Sequence, residues 1–249
     1  MRTPLIAGNW KMHLSLDEAA ALATAVAGVA AACDDREVMI APPFTALARV
    51  REVAGERLML AGQNVCWEDK GAFTGEIAPP MLRELGCRMA IVGHSERRHV
   101  FGEDDAMVNR RLRGAQAHGL IPILCIGETL EEREAGQTMA VLERQMRAGL
   151  EQVAVDDPAR LVIAYEPVWA IGTGKTASPA QAQEAHEFVR RLLAEVYEKN
   201  IAAGIRILYG GSVNAANVDE IMAQADVDGA LVGGASLSAE TFERIIRFV

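Results

Sequence analysis

Aromatic side chains are scarce in this sequence, 5% of 249 residues, and positive charge is outnumbered, 25 Lys and Arg against 34 Asp and Glu. The net charge of −9 argues against a general nucleic-acid binder or a polybasic membrane surface, while still allowing a local basic site. Cysteine is equally thin. Cys33, Cys66, Cys87 and Cys125 are widely spaced with no C-x-x-C pair, which excludes a disulfide framework or a zinc ribbon and fits reduced thiols in a cytoplasm. No apolar stretch approaches the ~20 residues of a membrane span. Met1-Arg2-Thr3-Pro4 leads into a strand-like run with no signal-peptide core. Absent too is any Pro/Gly/Ser-rich linker, so one domain over residues 1–249 is expected. What the chain has instead is apolar bulk, 50% of positions, which excludes disorder and suffices for a large core.

That bulk is organised. Short apolar or β-branched runs recur at Pro4–Gly8, Glu37–Ala41, Leu58–Gln63, Met89–Gly93, Ile121–Ile126, Leu161–Glu166, Ile205–Tyr209 and Gly229–Gly233. Their near-continuous apolarity predicts strands buried on both faces, as in a parallel sheet. Between them the spacing turns helical: Leu22, Val26 and Val29 share a face, as do Leu142, Met146 and Val153, and Val189, Leu192 and Val196. Ser15-x-x-Glu18 reads as a capping box, Ser178-Pro179 as an N-cap before a first-turn proline, and Ser238 as the cap of a last helix. Strand–helix units repeated eight times over this length predict a closed (β/α)8 barrel, with a doubly wound open sheet as the alternative.

In such a barrel, function gathers where strands run into the following loops. Those positions hold Asn9 and Lys11 after the first strand, Gln63-Asn64 after the third, His94-Ser95-Glu96 after the fourth and Glu166-Pro167 after the sixth. The seventh and eighth strands end in Gly210-Gly211-Ser212 and Gly233-Gly234. Glu166, covered by Val168 and Ile171, is expected to be a stronger base than a solvated carboxylate. His94 lies at the start of a helix capped by Ser95 and Glu96, where the positive end of the helix favours a neutral ring. Lys11 offers a fixed ammonium, a Schiff-base amine or a plain surface charge. The paired glycine ends favour bare backbone N–H groups cradling a phosphate over simple tight turns.

Two motif imitations fail. Gly172-Thr173-Gly174-Lys175-Thr176 mimics the end of a P-loop, but the required first glycine falls on Trp169. As a G-x-G-x-x-A fingerprint it lies too far beyond its strand. What remains is a glycine-containing loop, Pro167–Ala177, suited to be a lid.

Together these residues closely resemble the triosephosphate isomerase family along almost the whole chain. The matching stretches include Gly8-Asn9-Trp10-Lys11-Met12, Gly62-Gln63-Asn64-Val65, Gly71 to Glu76, Gly93 to Arg98 and Cys125 to Thr129. Ala164 to Lys175, Tyr209 to Val213 and Leu231 to Ala235 complete the set in order. The resemblance implies interconversion of dihydroxyacetone phosphate and D-glyceraldehyde 3-phosphate, in glycolysis and gluconeogenesis, with no cofactor and no metal. It implies Glu166 as the base and His94 as a neutral electrophile, the family's established pairing. Lys11 with Asn9 would anchor the substrate, and Gly172, Ser212, Gly233 and Gly234 would hold its phosphate. It further implies a homodimer formed through loop 63–76, with Val65, Trp67, Phe73 and Thr74, and no nucleic-acid or membrane partner. Cys66 in that loop, if accessible, would make the dimer sensitive to oxidation. The residues themselves leave open an aldolase using Lys11 as a Schiff base, or a non-catalytic barrel scaffold.

Overall fold

A computed structural model describes residues 2–172 and 174–249; Met1 and Thr173, the second residue of the glycine-rich stretch in loop 167–177, lie outside the described residues. The strands are β1 (Leu5–Asn9), β2 (Glu37–Ala41), β3 (Leu58–Gly62), β4 (Cys87–Val92), β5 (Ile121–Ile126), β6 (Val162–Tyr165), β7 (Arg206–Tyr209) and β8 (Gly229–Val232). They pair in parallel in chain order and β8 returns to β1, closing the barrel. At the closing seam Gly229 has φ 151°, and a Cβ there would stand 2.0 Å from the Leu5 carbonyl oxygen. Only glycine lets the two backbones meet there.

Side-chain alternation along the strands sorts the apolar residues into two sets. Leu5, Ala7, Met39, Met59, Met89, Ile123, Val162 and Leu208 fill the barrel interior. Their neighbours, such as Ile6, Val38, Leu60, Leu124 and Ile207, face the surrounding helices. The last inward residues of four strands are small: Ala41, Ala61, Cys125 and Ala164. The plug therefore thins toward the C-terminal end, where the next inward positions on β3 and β6 carry Gln63 and Glu166.

The expected caps are present. Ser15 and Glu18 form a reciprocal capping box on helix Leu16–Ala31, Ser178 caps helix Pro179–Val196 and Ser238 caps helix Ala239–Ile246. One helical face is shorter than its spacing predicts. Helix Thr138–Gly149 carries Leu142 and Met146 but ends before Val153, which packs into the same core from the following turn. β2 and β5 keep the limits of their apolar runs; the other strands differ by one or two residues, with Gln63 and Glu166 lying just past the ends of β3 and β6. Among the described residues no helix is long and apolar enough to cross a membrane.

Candidate active site

The inward parity that places Leu5 and Ala7 in the barrel continues to Asn9, and the parity of Val162 and Ala164 continues to Glu166. Both therefore stand over the mouth. Lys11 follows in an unusual backbone conformation, φ 51°. Its N–H donates to Asn9 Oδ1 at 3.0 Å and its carbonyl accepts from Gln63 Nε2 at 2.7 Å. A side-chain brace on each side of the residue thus offsets a conformation that costs about 1–3 kcal/mol. The ammonium ion-pairs with Glu96 at 2.6 Å.

His94 is itself the N-cap of the short helix Ser95–His99, a role the sequence assigned to Ser95 and Glu96. Its Nδ1 accepts the Glu96 backbone N–H at 3.2 Å. An acceptor at Nδ1 leaves the ring proton on Nε2, which points at Glu166 Oε1, 3.0 Å away. The other carboxylate oxygen accepts the Ser95 N–H at 2.8 Å. Both side chains are buried, so each satisfies the other.

The electrostatics correct one expectation. Burial alone raises a carboxyl pKa, and it opposes the Glu166 charge here. The His94 ring, the Ser95 N–H and Lys11 together outweigh it and hold Glu166 below its ordinary value of 4.5. The chain neighbours Val168 and Ile171, half-buried, do not set its environment; residues from the end of β4 do. For His94, burial opposes protonation, but the Glu166 carboxylate outweighs it and lifts the ring above its ordinary 6.5. That lift depends on Glu166 staying against Nε2. When the carboxylate turns elsewhere, burial and the Nδ1 acceptor favour the neutral ring.

Beside this pair lies a cavity of about 320 Å³ lined by Asn9, Lys11, His94 and Glu166. Its far wall is Gly172, Ser212, Gly233 and Gly234. No hydrogen bond among the described residues uses the backbone N–H of Ser212, Gly233 or Gly234. The expected catalytic and substrate-binding residues thus line one cavity, whereas Gln63, Asn64 and Glu96 line a neighbouring one. A larger cavity, about 520 Å³, opens at the opposite end beside Arg2, Glu37 and Arg206. Its charges are already paired, Arg2 with Asp228 and Arg206 with Glu37. No cluster of metal-ligating side chains occurs among the described residues.

Three residues take roles that the sequence did not assign to them. Glu96 partly neutralises Lys11, and Gln63 holds its backbone; inward parity after Met59 and Ala61 marks Gln63 alone. Glu128, fully buried, accepts from Tyr165 Oη at 3.1 Å and from Trp169 Nε1 at 2.8 Å, with Arg133 3.2 Å away. It therefore ties the start of loop 167–177 to the barrel. No local pattern distinguishes it from a surface acid. Cys66 is buried, contrary to the accessible thiol that oxidation would need. The cause is close contact: a Cβ on Gly114 would lie 2.5 Å from Trp67 Cα, so loop 63–76 is pressed onto helix Asp105–Ala117.

Fold and mouth together define a (β/α)8 barrel enzyme of the acid–base kind, equipped for a small anion. The family model of triosephosphate isomerase matches residues 4–249. The chain is 56% identical over 249 residues to the triosephosphate isomerase of Chloroflexus aurantiacus, with all of both chains covered. It is 54% identical over 252 residues to that of Moorella thermoacetica, covering 100% of this chain and 99% of that one. To that of Syntrophotalea carbinolica it is 53% identical over 249 residues, at 100% and 99%. The chain belongs to the triosephosphate isomerase family.

Proposed function

We propose that Glu166, His94 and Lys11 are the groups with which this isomerase interconverts dihydroxyacetone phosphate and D-glyceraldehyde 3-phosphate. The observation that carries the reading is the buried 3.0 Å contact of Glu166 with His94 Nε2, beside a cavity whose opposite wall offers unclaimed backbone N–H groups.

The substrate phosphate binds at Ser212, Gly233 and Gly234, with Gly172 closing from the loop. Its carbonyl and hydroxyl oxygens displace the carboxylate from His94 Nε2, and the freed Glu166 reaches a carbon. Glu166 takes the proton, the C–H electron pair becomes the C=C bond, and the carbonyl oxygen takes up negative charge. The His94 Nε2–H and the Lys11 ammonium stabilise that enediolate, and Asn9 orients the bound oxygens. The hydroxyl proton then passes to the neighbouring enediolate oxygen through His94 Nε2, and Glu166 returns its proton to the adjacent carbon as the second oxygen becomes the new carbonyl. An enediolate free to rotate in water loses its phosphate, which gives a lid at 167–177 its chemical purpose.

His94→Gln is expected to lower kcat by roughly 10²-fold with little change in KM, because the amide donates a weaker hydrogen bond to the developing charge. Steady-state assay with dihydroxyacetone phosphate checks it; an effect on KM alone would reduce the ring to a binding group.

The homodimer belongs to the same reading. Met12 and Phe101 are 93% and 65% exposed and flank a cavity that also touches Asn64 and His94. Apolar side chains bare at the rim of the site suit a covering surface, and loop 63–76, with Phe73 outermost, is its counterpart in a second copy. Sedimentation equilibrium is expected to give twice the 26.8 kDa chain mass, and Phe101→Glu to shift it toward one. A cytoplasmic setting is supported by four buried, free cysteines.

A further inference from the structure

Helix Thr138–Gly149 turns Val141, Leu142 and Met146 to the core, and Gln145 lies in that same apolar stripe, buried. A glutamine in a core stripe is costly unless both ends of its amide are satisfied. Here they are, and by a single residue. Gln145 Oε1 accepts the Gly127 N–H at 2.8 Å, and Gln145 Nε2 donates to the Gly127 carbonyl at 3.2 Å.

Gly127 occupies a critical place. A Cβ on it would stand 1.7 Å from the Glu166 carbonyl oxygen and 3.2 Å from Glu166 Cα, so its backbone lies directly against the backbone of that residue. The residues on either side complete the seat. Ile126 carbonyl accepts the Glu166 N–H at 2.7 Å, and Glu128 carbonyl accepts the Val168 N–H at 3.0 Å. The Glu128 side chain holds Trp169. The segment 126–128 is thus a seat for residues 166–169, and no other side chain among the described residues pins its central peptide.

We propose that Gln145 is a positioning residue: by clamping the Gly127 peptide from the helix layer, it fixes the seat against which Glu166 and the first turn of loop 167–177 are held. The inference rests on the reading of Glu166 as the base. Gln145 acts from behind the strand end, through one peptide, with no contact to the ligand cavity. Its loss would let Glu166 and the loop drift, which costs catalysis steeply because small misplacements matter.

Three variants test it in the full-length protein. Gln145→Met keeps length and apolarity and deletes both hydrogen bonds. The expected result is a kcat about tenfold lower, KM within about twofold, and more inorganic phosphate released per isomerisation as the loosened loop spills the enediolate. Gln145→Glu serves as a second variant and covers failure of the first to fold. Its carboxylate repels the Gly127 carbonyl, whereas the protonated acid restores the donor. Activity relative to the parent protein at the same pH should therefore recover on going from about pH 8 to about pH 6, burial having raised that carboxyl. Glu166→Gln runs alongside as the third. Normal turnover in Glu166→Gln would sink the reading of the base itself. Collapse there, with either Gln145 variant keeping parental kcat and phosphate release despite a lower Tm, would overturn the positioning role. So would a Gln145→Glu deficit that does not change with pH.

Discussion

Glu166→Gln is expected to lower kcat by roughly 10³-fold, about 4 kcal/mol of transition-state stabilisation, while the phosphate ester still binds. The side chain changes by one atom, so the cavity keeps its shape. What disappears is the lone pair able to accept a carbon-bound proton. The amide also cannot replace both carboxylate contacts, to Ser95 and to His94. Its oxygen can accept from Ser95 N–H or from His94 Nε2–H, but its NH₂ then faces the other donor. A buried donor left unpaired costs about 1–3 kcal/mol, so the variant is also less stable near neutral pH.

The pH dependence of that second effect has a definite sign. Glu166 titrates below its ordinary 4.5 in the folded chain, so its charge adds stability above about 4.5, and this is lost as pH falls through the folded value. The gap in unfolding free energy between the parent and Glu166→Gln is therefore expected to narrow as pH falls below about 4.5, as read by urea titration. Turnover at the parental rate would refute the assignment of the base. A stability gap that fails to narrow below about pH 4.5 would refute the electrostatics.

The barrel was legible because its information is periodic. Runs such as Ile121–Ile126 and caps such as Ser15 with Glu18 state their structure locally, and closure follows from repeating one unit. The site was legible in its membership, since Asn9, Glu166 and the glycine ends extend strand parity into the mouth. Its electrostatics were not. The sequence shows Glu166 beside Pro167 and Val168, whereas the groups that set its charge, His94 and Ser95, stand 71 or more residues away. For the same reason the sequence suggests a bare ammonium at Lys11, where Glu96 in fact neutralises part of it. Glu128 and Gln145 are harder still. Glu128 acts through the side chains of Tyr165 and Trp169, and Gln145 through the Gly127 backbone, contacts that only the folded barrel brings together.

Lys11→Met is expected to lower kcat/KM by roughly 10³-fold, again about 4 kcal/mol, with both parameters moving. Lys11 is the one cation lining the cavity among the described residues. Loss of its attraction for a dianion raises KM, and loss of its field at the enediolate lowers kcat. Stability should change by less than about 1 kcal/mol, because the partner carboxylate of Glu96 is half exposed and such pairs contribute little. The backbone braces from Asn9 and Gln63 do not depend on the ammonium, so the φ 51° conformation is expected to survive the substitution. Lys11→Arg should fail to rescue: a planar guanidinium on a longer fork cannot occupy the place of a compact ammonium held 2.6 Å from Glu96. Borohydride added with substrate should leave Lys11 unmodified, since an ammonium engaged with Glu96 offers no lone pair to a carbonyl. A reduced adduct on Lys11 would replace the isomerase chemistry with that of an aldolase. Parental kcat/KM in Lys11→Met would reduce the side chain to a surface charge.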